Sequence, residues 1–263
     1  MRLPTHYIPH GGGPCFFMDW RMGPPDTWDR LAAYLRGLLK TLPERPKAIL
    51  LVSAHWEATQ PTVQVGARPP LIFDYYGFPQ HTYELKWPAP GSPELSERIF
   101  GLLKGAGLNP ARSDRGFDHG VFVPLLLTVP DASIPTVQLS LHHDLDADYH
   151  LKLGRALAPL RDEGVWIVGS GMSYHNMRGF MQPRSMAASK QFDGWLKDAI
   201  EKPGAPRAEQ LAQWQSQPLA RAVHPREEHL LPLMVVAGAA EEPGHIEHTD
   251  EVMGVEVLAA RFG

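Results

Sequence analysis

The apolar positions of the chain follow two alternating patterns. Leu3 to Ile8, Lys47 to Ala54, Ile134 to Leu141 and Val165 to Gly169 are short, nearly continuous apolar runs, as expected of strands buried on both faces of a sheet. Between them the spacing turns helical. Trp28, Leu31, Leu35, Leu38, Leu39 and Leu42 keep a helical period up to Pro43, with Asp26 placed to cap it. Ser92-Pro93-Glu94 opens a second helix that carries Leu95, Ile99, Leu102 and Leu103 inward and ends at Gly105 and Gly107. Asp146 to Asp162 predicts a third, and further helices are expected over 185–201, 207–216 and Arg226 to Ala239. Thr62 to Val65 and Val252 to Phe262 read as additional strands. Strands alternating with helices predict an α/β fold. Its central sheet should be mostly parallel or mixed, with helices on both faces, and residues 1–263 should form a single domain.

Residues 67–93 break both patterns. Pro69, Pro70, Pro79, Pro88 and Pro90 alternate with Phe73, Tyr75, Tyr76, Phe78, Tyr83 and Trp87. A linker would be richer in small and charged residues, so this stretch reads as an ordered loop or lid. It can wall a pocket for a planar ligand, or pack as a satellite core.

Composition narrows the function classes. The 263 residues carry a net charge of −4 with no basic stripe, which points away from nucleic acid and anionic membranes. The single cysteine, Cys15, excludes an internal disulfide and agrees with a cytoplasmic location. No apolar run reaches transmembrane length, and no secretory signal is apparent. The 13 histidines matter because of where some of them fall. His10 ends the first strand and enters Gly11-Gly12-Gly13-Pro14, where the backbone can approach a bound atom closely. His55 follows the second buried run, His175 follows the Val165 strand, His119 lies between glycines at 116 and 120, and His229 falls on the last expected helix. Open α/β sheets gather ligands at the C-terminal ends of their strands, so a metal site is expected there. Imidazoles suit zinc, iron and copper alike.

The same residues resemble a known family. His10-Gly11-Gly12-Gly13-Pro14, Ser53-Ala54-His55-Trp56, Trp87-Pro88-Ala89-Pro90-Gly91, Phe117-Asp118-His119-Gly120 and Pro225 to Leu233 are similar, in this order, to motifs of the 4,5-DOPA extradiol dioxygenases. These are class III extradiol ring-cleavage enzymes related to the protocatechuate 4,5-dioxygenase catalytic subunit. The resemblance implies a non-haem Fe(II) centre, with Zn(II) as the alternative, held by His10, His55 and His229, and with His175 as a fourth ligand in some members. It implies that His175 acts as acid–base and that His119 orients substrate and oxygen. The partners it implies are a small aromatic diol and O2, with a homo-oligomer compatible. The protocatechuate branch has a glutamate where this chain has His229. Glu228 is adjacent, but on a helix it would sit about 100° away. His81, in the aromatic loop, and Asp118 are expected to contact substrate, with a tautomer-fixing or helix-capping role open for Asp118. Two rival readings use the same residues: a zinc hydrolase, and a non-catalytic binding protein of the same fold.

Overall fold

A computed structural model describes residues 1–263. Eight strands form one mixed sheet: β1 (Thr5–Pro9), β2 (Ala48–Ala58), β3 (Thr62–Gln64), β4 (Ala111–Ser113), β5 (Thr136–His142), β6 (Val165–Gly171), β7 (Gly244–Val252) and β8 (Val255–Phe262), in the order β4-β3-β5-β2-β6-β1-β8-β7. The four central strands β5-β2-β6-β1 are all parallel. They are the four apolar runs of the sequence, and every residue of β1 and β6 is buried. Parallel neighbours require crossover connections, so the helices lie on the sheet faces. The expected α/β fold, with a mixed sheet, is the one observed.

Eight helices complete the fold: α1 (Asp29–Leu38), α2 (Pro93–Gly105), α3 (His119–Thr128), α4 (Ala147–Leu157), α5 (Ser185–Ile200), α6 (Gly204–Ala212), α7 (Ala220–Val223) and α8 (Leu231–Gly238). The two side-chain caps that form follow the sequence. Ser92 accepts from the Leu95 amide at 3.2 Å, and Asp146 accepts from the Tyr149 amide at 2.7 Å. Asp26 caps nothing with its side chain; its carbonyl accepts from the Asp29 amide, and α1 starts there, later than the apolar spacing predicts. No helix is long and apolar enough to cross a membrane.

Two departures at the sheet bear on the site. β2 runs past His55 to Ala58 because the strand pairs with β5 again at Glu57–Leu141 after a break in register beyond Val52–Leu139. His55 therefore sits in a locally irregular part of the strand, which lets it leave the regular alternation. The segment at Arg226 is not helical. α8 begins only at Leu231, and His229 lies in the preceding turn.

His150, buried on α4, illustrates how the fold uses neutral imidazoles. Its Nε2 accepts from the His142 amide at 3.0 Å, so Nδ1 carries the proton and donates to the Asp146 carbonyl at 2.6 Å. Burial depresses its pKa to about 4. The unfolded chain then binds more protons than the folded one between the ordinary histidine value and about 4. Stability should be full above the upper limit and fall as pH drops through this window, by about 1.4 kcal/mol per pH unit for this residue. Urea midpoints between pH 7 and pH 4.5 should fall less steeply in H150Q than in the wild type; equal slopes would contradict this account.

Candidate metal centre

Three histidines from distant parts of the chain converge at the C-terminal ends of the central strands. His10 leaves β1, His55 stands on β2, and His229 lies in the turn before α8. Their ring centroids are 4.8, 4.9 and 5.1 Å apart, and one nitrogen from each lies within 4.8 Å of the others. His10 turns inward because Gly11 and Gly13, at φ +83° and +57°, carry the backbone through a left-handed bend that L side chains avoid. His229 is placed through its carbonyl, which accepts from the Tyr7 hydroxyl at 2.8 Å and from the Met172 amide at 3.1 Å. Gly171 on β6 makes that approach possible, since a Cβ there would collide with the same carbonyl oxygen. Arg226 fastens the turn to β2 through two 2.5 Å hydrogen bonds to Glu57.

Hydrogen bonding fixes which nitrogens face inward. His10 Nδ1 donates to the Gly11 carbonyl at 3.0 Å, and His229 Nδ1 donates to the Glu228 carboxylate at 3.0 Å. Both leave Nε2 as a lone-pair donor. His10 Nε2 is 3.3 Å from His55 Nε2, and His229 Nε2 is buried with no partner. Lone-pair nitrogens meeting in a dry pocket must share a proton or face a cation. Burial, reinforced by the neighbouring imidazoles, holds all three rings well below the ordinary histidine pKa, in the neutral form that binds metal. The donor set fits a transition-metal ion.

Two further histidines flank this set. His119, the first residue of α3, has its ring 3.9 Å from that of His55, and its Nδ1 and amide both bond Asp74, at 2.8 and 2.9 Å. His175 stacks on His229 with ring centroids 3.3 Å apart, its Nδ1 3.1 Å from Glu228. Burial would raise the Glu228 and Asp74 carboxyls, but hydrogen bonds from the adjacent histidines outweigh it and hold both below the usual carboxylate range. His175 groups with Glu228 and His229 rather than with His10 and His55, so the geometry does not bring it into the three-nitrogen set as a fourth ligand. Glu228 does not point away on a helix, as its position beside His229 suggested; in the turn it joins the two histidines.

A cavity of about 370 Å³ opens above the histidines, and all five line it. Trp20, Trp28, Tyr75, Phe78 and Phe180 supply aromatic walls, so the proline-rich loop does wall a pocket. Two expected substrate contacts are corrected. His81 is exposed, faces away and lies 3.0 Å from the Phe17 carbonyl. Asp118 is 0 % exposed and lies beneath the site, where its carboxylate accepts from Ser53 at 2.7 Å and from Gln138. Ser53 in turn accepts from the His55 amide at 3.1 Å, so Asp118 steadies the backbone of His55; it makes no side-chain cap to α3. Cys15 is buried, its thiol pushed up by desolvation, which removes it as a nucleophile. β5 ends at His142, and His142 and His143 come together with Asp144 at the surface, away from the cavity.

Residues 5–262 match the family described as the catalytic LigB subunit of aromatic ring-opening dioxygenase, and the chain belongs to that family. It is 44% identical to a 4,5-DOPA dioxygenase extradiol of Beta vulgaris over 79% of this chain and 78% of that protein. It is 36% identical to one of Escherichia coli K12, over 97% and 91% respectively. A dioxygenase of Hapsidospora irregularis, tasH, is 39% identical over 99% of this chain and 85% of its own length. The crystal structure of an uncharacterized Escherichia coli K12 protein superposes with a TM-score of 0.81 at 31% identity, covering 100% of both chains.

The Gly171 contact gives a test of how His229 is placed. G171A should push the His229 carbonyl outward, lowering stability by roughly 1–3 kcal/mol. Metal affinity should weaken by roughly 10–100-fold, the usual effect of disturbing a ligand's support. A urea titration and a competitive metal titration read the two separately; unchanged affinity would remove Gly171 from the account.

Proposed function

We propose that the chain is a mononuclear Fe(II) extradiol dioxygenase that opens the ring of a catechol-type substrate with O2, using His10, His55 and His229 as the metal-binding residues. The observation that carries this reading is the meeting of three neutral imidazoles on the floor of an aromatic-walled cavity, with two further histidines beside them, each tied to a carboxylate. When bound, the metal would chelate the diol, lower its phenol pKa and bring oxygen beside the ring. His175 takes a phenol proton, because its Nδ1 is committed to Glu228 and its other ring nitrogen is left for the substrate. His119, whose Nδ1–H is held by Asp74, turns its Nε2 lone pair toward the substrate and can accept a hydrogen bond from a diol hydroxyl. The aromatic walls hold the ring flat above the histidines and exclude water. The absence of a carboxylate among the three converging residues favours a second reading, zinc hydrolysis on the same floor.

Metal exchange separates them. Protein stripped of metal and reloaded anaerobically with Fe(II) should consume oxygen with catechols and yield a coloured ring-opened product, whereas Zn(II) should support no uptake. Uptake absent with every catechol, together with tight stoichiometric zinc, would favour the hydrolase. In the Fe(II) protein, H175A should lose roughly 10²–10⁴-fold in turnover while keeping its metal, as expected for removal of an acid–base group. Loss of the metal as well would make His175 a ligand.

A further inference from the structure

We propose that His224 is a positioning residue for His175: its Nε2–H, donated to the Ser173 carbonyl, fixes where the His175 ring stands beside the three converging histidines. The inference rests on the ring-cleavage reading above and adds to it a residue outside the cavity. His175 lies in a long irregular segment, because β6 ends at Gly171 and α5 starts only at Ser185. No strand or helix ladder holds its backbone. Its ring nevertheless keeps two close contacts, the stack on His229 at 3.3 Å and the approach of Nδ1 to Glu228 at 3.1 Å. The segment is held instead by α7 and the residue after it. The Ala222 carbonyl accepts from the Asn176 side chain at 2.8 Å, the Val223 carbonyl accepts from the His175 amide at 3.1 Å, and His224 Nε2 lies 2.8 Å from the Ser173 carbonyl. Three successive residues thus clamp the chain on both sides of His175.

Two of these bonds use backbone carbonyls of the turn, which any residue supplies. The third uses a side chain, so it alone depends on which residue stands at 224. A carbonyl oxygen only accepts, so Nε2 carries the proton and Nδ1 keeps a lone pair, which is buried with no partner. An orphaned buried nitrogen is costly, and packing does not call for one. His224 is 0 % exposed and sits edge to face between Phe192 and Trp214, with ring centroids 5.5 and 6.0 Å away, where an apolar ring would also fit. Burial lowers its pKa to about 3, so it stays neutral, and it does not line the cavity. It therefore acts through Ser173. The Ser173 hydroxyl is committed as well, donating to Asp193 on α5 at 3.3 Å and accepting from the Leu258 amide on β8 at 3.0 Å. Ser173 is thus a fixed anchor two residues before His175. Loss of the His224 bond would leave its buried carbonyl unpaired and let the segment shift. A misplacement of about 1 Å at a reacting group costs roughly 100-fold in rate.

Two variants isolate the hydrogen bond: H224F keeps a ring without the donor, and H224Q restores an N–H at similar reach. In the Zn(II)-loaded full chain carrying isotope-labelled histidine, NMR identifies the His175 ring signals by their loss in H175A. H224F should move those signals while the signals of His10 and His55 stay in place and zinc still binds stoichiometrically; H224Q should return them to their wild-type positions. In the Fe(II) protein, H224F should lower kcat by roughly 10–100-fold with KM within about threefold, and H224Q should recover kcat to within about threefold of the wild type. Unmoved His175 signals in H224F would overturn the proposal, and so would an H224Q variant as impaired as H224F, since packing rather than the N–H would then be what counts. Should H224F fail to fold, N176A cuts a second bond of the same clamp at a partly exposed position and should move the same signals; wild-type signals there would break the clamp on which the role of His224 rests. If the wild-type Fe(II) protein consumes no oxygen with any catechol, the ring-cleavage reading fails, and the NMR comparison alone decides what places His175.

Discussion

The site depends on keeping several imidazoles neutral and packed with their lone pairs facing one another. Such rings repel in a dry environment unless their outer nitrogens are tied down and their inner ones meet something electrophilic. The outer nitrogens are tied by a carbonyl for His10, by Glu228 for His229 and His175, and by Asp74 for His119. These partners set the tautomers, and with them the direction in which each free nitrogen points. The fold supplies the rest. Parallel strands end together, so residues far apart in sequence arrive at one edge of the sheet.

Glu228 takes on particular weight in this arrangement. It touches two rings stacked 3.3 Å apart, so a proton gained by His175 is sensed by the carboxylate that also steadies His229. In the proposed reaction, acid–base work and metal holding would thus share one carboxyl group. Arg226 lies 3.4 Å from its other oxygen and is itself anchored on Glu57, two residues beyond His55. A short chain of charges therefore links the strand that carries one candidate ligand to the turn that carries another.

The central strands and the histidines at their ends were legible because buried parallel strands are nearly pure apolar runs, and such runs have conspicuous ends. β7 was not, since it is a sheet edge whose residues Gly244–Val252 are mostly half-exposed and polar. Asp74 also escaped notice. It lies 45 residues from His119 in an irregular loop, and only tertiary folding makes them neighbours. Glu228 was noticed but misdirected, because a helix was assumed where the chain makes a turn. Asp118 and His81 misled in another way. Each stands near plausible chemistry in sequence, yet one supports β2 from below and the other faces outward.

Met253 sits with Gly254 in the two-residue turn between β7 and β8, both with positive φ, as the tight hairpins of this kind require. One wall of the cavity is thus the tip of an edge hairpin, and the other walls come from segments around residues 20–28, 75–78 and 177–180. None of these belongs to the four parallel strands. Mutational drift can therefore reshape what the cavity admits while the histidine floor stays intact. That separation gives an enzyme lineage a route to new substrates with unchanged chemistry.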